Sequence, residues 1–165
     1  MQFSKTLAYS LSFLVTSISA TSIQLWAGGD NFPANEEQRG LSSIHEGAGF
    51  NYFFLGTNAQ TFEYSESEGK IYQPISEQYN YTVGHFTESE FPFLVSGVAG
   101  TPLSFKIEDG VLLNENGYNF YIAKNVSDPY NYGQNAYTVG IAANDSSFVN
   151  KYEDVREITV FAYKV

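Results

Sequence analysis

Along residues 102–108 apolar and polar side chains alternate, with Leu103, Phe105 and Ile107 pointing one way and Ser104, Lys106 and Glu108 the other. A period of two predicts a half-buried β-strand. Asp109-Gly110 supplies the positive φ of a tight turn, residues 111–113 return, and Asn116-Gly117 turns the chain again into residues 118–123. Ser67-Glu68-Gly69 plays the same part between Phe62-Glu63-Tyr64 and Lys70-Ile71-Tyr72. Further runs rich in Tyr, Phe, Val and Ile at 22–27, 41–45, 50–55, 78–83, 91–95, 136–142 and 157–164 bring the total to about twelve short strands. No helix-period stripe of useful length interrupts them, so the pattern predicts a single all-β domain.

Residues 61–83 echo residues 103–122 at a spacing of about 40 residues, in Thr61-Phe-Glu-Tyr64 against Leu103-Ser-Phe-Lys106 and Glu68-Gly69 against Asp109-Gly110. Repetition of a four-strand unit points to a β-trefoil, in which the last strand, 157–164, closes against the first, 22–27, and leaves no edge to aggregate. A Greek-key β-sandwich accommodates the same strand count.

The N-terminus is of another kind. Lys5, an apolar stretch over 7–18 and the small residues Ser19-Ala20 make residues 1–20 read as a removable secretory signal, leaving 21–165 as the domain. That stretch is interrupted by Ser10, Ser12, Thr16 and Ser17 and is too short for a bilayer crossing of roughly 30 Å. No later segment reads as a membrane span, and residues 156–165 alternate like a strand instead of forming a lipid-anchor tail. The expected product is secreted, extracellular or retained in a surface layer.

Composition narrows the chemistry. With no cysteine, disulfide scaffolds, thiolate metal sites and cysteine nucleophiles are excluded. Eight basic against 18 acidic side chains give a net charge of −10, and the basic residues lie singly, which argues against nucleic acid as a partner. Asn80, Asn125 and Asn144 each begin an Asn-x-Ser/Thr triplet, and all three fall on polar faces or just beyond strands, where an N-linked glycan fits.

Candidate catalytic groups are sparse. His45-Glu46-Gly47-Ala48-Gly49 pairs an imidazole with a carboxylate, but the only other histidine is His85 and no second His stands at zinc-helix spacing. Gly47 and Gly49 suit a turn between strands. A Gly-x-Ser-x-Gly elbow is absent. The acidic pairs Glu36-Glu37, Glu88 with Glu90, Glu108-Asp109 and Glu153-Asp154 would serve a glycoside hydrolase only if two carboxylates converged across a cleft. The Asp128 and Asp145 loops lack the regular oxygen ligands of a calcium loop, so neither metal nor cofactor is expected.

Aromatic residues are the remaining excess, at 17% of the chain. Phe50-Asn-Tyr-Phe-Phe54, Tyr79-Asn-Tyr81, Tyr118-Asn-Phe-Tyr121 and Tyr130-Asn-Tyr132 place rings on both faces of some strands. Either strands are buried on both sides, or some rings form an outward platform able to stack on a sugar or cover a lipid chain. Tyr130 and Tyr132, in a Pro/Asn/Gly loop, are the candidates for the second role.

The stretch Leu41-Ser-Ser-Ile-His-Glu-Gly-Ala-Gly-Phe-Asn-Tyr-Phe-Phe-Leu-Gly56, preceded by Ile23-Gln-Leu25 and followed by Ala59-Gln-Thr-Phe-Glu-Tyr64, resembles the small secreted cell-wall mannoproteins of budding yeasts and Candida-type fungi. The resemblance covers most of the mature chain. It implies a non-catalytic wall glycoprotein with a structural or surface role, contacting wall polysaccharide non-covalently. Some members of that group are lipid-anchored, and this sequence lacks their anchor tail. One relative is associated with blocking a farnesylated mating pheromone, which implies, as an alternative, a binding module for a wall glycan or a lipidated peptide. No residue motif here carries that activity over. A fainter likeness, in Asp109-Gly-Val-Leu112, Tyr121-Ile-Ala-Lys-Asn125 and Tyr137-Thr-Val-Gly140, links the chain to the C-terminal domain of fungal wall proteins with internal repeats. The glutamine-rich repeat those proteins use for ester linkage to glucan is missing. A carbohydrate-active hydrolase is the remaining alternative.

Overall fold

The computed structural model describes residues 19–47, 49–98, 100–144 and 147–165. Apart from Ser19 and Ala20, the expected secretory signal lies outside the described residues. In chain order the strands are β1 (Ala20–Gly28), β2 (Gly40–His45), β3 (Phe50–Gly56), β4 (Thr61–Ser65), β5 (Lys70–Ser76), β6 (Tyr79–Phe86) and β7 (Phe93–Gly97). They continue as β8 (Thr101–Pro102), β9 (Phe105–Glu108), β10 (Val111–Asn114), β11 (Asn119–Lys124), β12 (Thr138–Ala142) and β13 (Glu153–Lys164), with one 3-10 turn at Tyr132–Gln134.

Every strand pairing is antiparallel, and together they form one sheet closed on itself. Nine strands make the ring, in the order β6, β5, β4, β1, β13, β11, β12, β3, β7 and back to β6. The expected closure of the last strand on the first is present: Ile23 faces Lys164 and the pairing runs to Gly28 opposite Thr159. Strand β2 is added beside β3, β8 beside β6, and the β9–β10 hairpin beside β13. The all-β expectation holds, but the pairing does not set off three four-strand units.

The internal echo shows why. Strands β4, β5 and β6 form a meander, whereas β10 and β11 are not neighbours: each pairs with β13, β10 at Phe161 and β11 at Ile158, Glu157 and Arg156. Only the first hairpin of each copy corresponds. In the second, Asp109 and Gly110 both have positive φ, at 51° and 79°, and bring Val111 opposite Glu108. That is the backbone a two-residue hairpin turn requires. The two hairpins touch, since the Phe105 N–H donates to the Gly69 carbonyl at 2.7 Å.

Alternation fills the barrel. Ile23 and Leu25 of β1, Phe53 and Leu55 of β3, Ile122 of β11 and Val160 of β13 belong to one inner core. A second core lies on the outside of β3, β7 and β11, where Tyr52, Phe54, Phe93, Val95 and Tyr121 pack with Phe91, Val126 and Phe148 from the loops. Six successive residues of β3 are therefore buried, Phe50 through Leu55. Much of the aromatic excess is accounted for here: Phe91 makes edge-on contacts with Phe93, Phe148 and Tyr152 at centroid separations of 5.0, 5.5 and 5.6 Å. Burying each such ring is worth roughly 1.5–3 kcal/mol.

Candidate functional site

The site is built where the β2–β3 turn meets the loop between β11 and β12. At the turn the Phe50 N–H donates to the Gly47 carbonyl at 3.0 Å, and Gly47 and Gly49 take φ values of 85° and 78° that disfavour other residues. The tight reversal drives the side chain of Glu46 inward, to 3% exposure. Across from it the loop carries Asp128, also 3% exposed, which caps the 3-10 turn by accepting from the N–H groups of Tyr132 at 2.6 Å and Gly133 at 2.9 Å. The loop is bound to the turn by Glu46, whose Oε2 accepts from the Tyr130 N–H at 3.1 Å.

Buried carboxylates cannot both hold a full charge at short range without a large cost. Among the described residues Glu46 Oε1 has no hydrogen-bond partner, and the nearby Asp128 carboxyl adds to the cost of ionising Glu46. Burial, with the Asp128 hydrogen bond and charge adding to it and the Tyr130 N–H opposing, raises the Glu46 pKa from 4.5 to about 7. The same surroundings push the neighbouring Tyr52 hydroxyl up, chiefly by burial and secondarily by the Glu46 and Asp128 charges. Thr138 Oγ1 is buried without a partner on the loop's far strand. Thr138 Oγ1 and Asp128 Oδ1 both crowd the space where a Cβ on Gly133 would stand, at 2.9 and 2.6 Å.

Above this acid pair lie Tyr130 and Tyr132, 58% and 43% exposed. Their rings meet edge-on with centroids 6.4 Å apart, and Tyr132 leans on the outer core through Phe54 at 5.9 Å. The Tyr130 hydroxyl sits over Gly47, 3.4 Å from the position a Cβ would take. Exposed rings are thus mounted on a rigid base, and a base of this kind can present an aromatic surface without loss of order on binding.

The three sequon asparagines are exposed and spread apart along the chain: Asn80 on β6, Asn125 just after β11 and Asn144 after β12. Asn125 donates through Nδ2 to Glu153, and Asn144 accepts through Oδ1 from Asn119. The two histidines have separate surroundings. His45 lies 3.2 Å from Asn51 Oδ1, at the mouth of a buried amide network in which Asn51 Nδ2 and Ser96 Oγ both donate to Gln73. His85 stacks on Tyr118 with centroids 5.7 Å apart, and burial holds its pKa below the usual imidazole value. The acidic pairs stand at the surface, Glu108 bridged to Lys106 at 2.8 Å and Glu90 to Lys151 at 3.5 Å.

The exposure expected of Tyr130 and Tyr132 is present, whereas the burial of Glu46 and Asp128 beneath them was not anticipated. Glu46 was legible only as part of a glycine turn, and Asp128 only as a loop acid. Their meeting depends on a contact 84 positions long, of which the local pattern carries no sign.

Comparison with known proteins now bears on the wall-protein resemblance. The chain is 32% identical to cell wall protein RHD3 of Candida albicans, over 93% of its own length and 75% of the relative's. The chain belongs to this family of Candida-type cell wall proteins. Cell wall proteins PGA30 and PGA31 of the same organism are each 33% identical over 71% of the chain. It spans 42% and 40% of their lengths. No protein-family model matches the sequence, and no solved structure matches it. Family membership makes this a secreted protein of the cell wall. The HEGAG stretch that carried the resemblance is the turn that delivers Glu46 to the site.

Proposed function

We propose that this wall protein is a non-catalytic glycoprotein with a structural or surface role, held among wall polymers by non-covalent contacts. The observation that carries the reading is the set of contacts made by Glu46 and Asp128, the two buried acids among the described residues. A glycoside hydrolase needs carboxyl groups about 5 to 9.5 Å apart with a sugar between them. Glu46 instead accepts from the Tyr130 N–H, and Asp128 from the N–H groups of Tyr132 and Gly133. That arrangement fastens a loop. N-linked glycans on Asn80, Asn125 and Asn144 would stand in solvent and tie the barrel into the surrounding carbohydrate.

The test is cell fractionation. The protein is expected in the wall fraction, released by hot detergent without glucanase digestion, and reduced in mass by an endoglycosidase. Retention until glucan is digested would overturn the non-covalent attachment, and a cytosolic pool without glycan would overturn the whole reading.

A second reading, a binding module for a wall glycan or a lipidated peptide, is favoured by the exposed Tyr130 and Tyr132 on their braced loop. Titration with oligosaccharides and with a prenylated peptide tests it, with binding lost in a Tyr130→Ala, Tyr132→Ala double variant.

A further inference from the structure

A different aromatic surface is made by the two chain termini. Leu25, Ala27, Val160 and Ala162 are buried, so alternation turns Gln24 and Trp26 of β1, and Thr159, Phe161 and Tyr163 of β13, to the outside of the barrel. The register sets Trp26 opposite Phe161, Gln24 opposite Tyr163 and Gly28 opposite Thr159. Gln24, Trp26, Phe161 and Tyr163, together with Arg39, border an open groove of about 560 Å³. Its floor is bare backbone at Gly28, where a Cβ would stand 3.0 Å from the Phe161 ring and 4.0 Å from Arg39 Nη1.

Arg39 is fixed in place. Its carbonyl accepts from the Ala27 N–H at 2.7 Å, and its guanidinium carbon lies 4.3 Å from the centre of the Phe32 ring. Among the described residues it forms no ion pair, although the chain has 18 acidic against 8 basic side chains. Its fork of N–H donors is left for another acceptor. Tyr163 is 54% exposed, and Trp26 is the only tryptophan of the chain. A contiguous outward aromatic strip of this kind marks a binding surface.

The shape selects the occupant. A small apolar ligand is held in a cavity that hides most of its surface, and this groove is open. A long chain can lie across it. Flat rings bordered by an amide, a hydroxyl and a guanidinium match a pyranose unit, which has an apolar C–H face and a rim of hydroxyls. We infer that the β1–β13 groove binds a pyranose polysaccharide of the wall, with sugar rings stacked on Trp26 and Tyr163 and hydroxyls bonded to Arg39 and Gln24. This inference rests on residence in the wall and is independent of Tyr130 and Tyr132.

Because Trp26 is the sole indole, its fluorescence reports this groove directly. The mature, folded protein is titrated with a β-linked gluco-oligosaccharide and, separately, an α-linked manno-oligosaccharide. The expected result is a saturable change in Trp26 emission with at least one of them. Tyr163→Ala and Arg39→Gln, each with an unchanged circular dichroism spectrum, should each weaken binding about tenfold, the equivalent of about 1.4 kcal/mol. No emission change with either sugar at millimolar concentration, or equal binding by the parent and the Tyr163 and Arg39 variants, would overturn the inference. Wall residence found by fractionation alongside such a null titration would sink this inference alone.

Discussion

Glu46, buried beneath the Tyr130–Tyr132 loop, accepts the Tyr130 backbone N–H at 3.1 Å. Native Glu46 keeps its proton up to about pH 7, whereas an unfolded Glu46 loses it near 4.5. Between those values unfolding releases a proton, so stability is full below about 4.5, falls as pH rises, and levels off above about 7. At about 1.36 kcal/mol per unit the loss is on the order of 3 kcal/mol. Glu46→Gln retains an acceptor for Tyr130 and gains a permanent donor for Asp128. Urea denaturation from pH 4 to 8 should show the parent losing stability relative to the variant as pH rises, over a His85-linked trend of opposite sign common to both; parallel profiles would contradict the raised Glu46 pKa.

Asp128 holds the 3-10 turn through two charge-assisted bonds, to the N–H groups of Tyr132 and Gly133. Asp128→Ala leaves both donors buried or half-buried without a partner and should cost roughly 2–4 kcal/mol. Hydrogen exchange at those amides, followed by mass spectrometry of loop peptides, should accelerate well beyond exchange in the barrel strands. Uniform acceleration would mean that the loop opens only with the whole domain.

The outer core should matter as much as the barrel interior. Phe91 is fully buried and meets three other rings, so Phe91→Ala should cost about 3–5 kcal/mol in denaturant titrations. Gly140→Ala presses on the same ring, since its Cβ would lie 2.8 Å from Phe91 Cζ and 2.9 Å from the Pro92 carbonyl oxygen. Overpacking there should cost roughly 1–3 kcal/mol. A cost below about 1 kcal/mol for Phe91→Ala would show that the loops over β3 and β7 are not part of the folded unit.

Local pattern made much of this legible. The Asp109-Gly110 turn and the pairing of β1 with β13 follow from turn chemistry, alternation and the need to cover edges. The placement of β11 beside β13 instead of β10 does not, because Asn116-Gly117 signals a reversal without saying which strand the returning segment will join. The burial of β3 on both faces was visible as an excess of rings, yet only the loops holding Phe91 and Phe148 decide that those rings are inside. The β1–β13 groove could have been found: once the termini are paired, the outward positions of 22–27 and 157–164 already put Trp26, Phe161 and Tyr163 together. Glu46 with Asp128 could not, since a glycine turn and a distant loop share no periodicity.

Each sequon should carry a removable glycan. Asn80, Asn125 and Asn144 are all exposed, so substituting each in turn by Gln should lower the apparent mass by one glycan step, and the triple variant should be insensitive to endoglycosidase. Asn125→Gln also disturbs the bond to Glu153 and puts Gln at a positive φ of 53° that Asn tolerates better, so it should lose some stability, about 1 kcal/mol. An endoglycosidase-sensitive triple variant would place the carbohydrate elsewhere.

The most direct measurement is the intact mass and N-terminal sequence of the protein extracted from purified walls. A polypeptide beginning at Thr21, bearing N-glycans and freed by denaturant alone, is the predicted result. A full-length, unglycosylated chain recovered from cytosol would contradict the account.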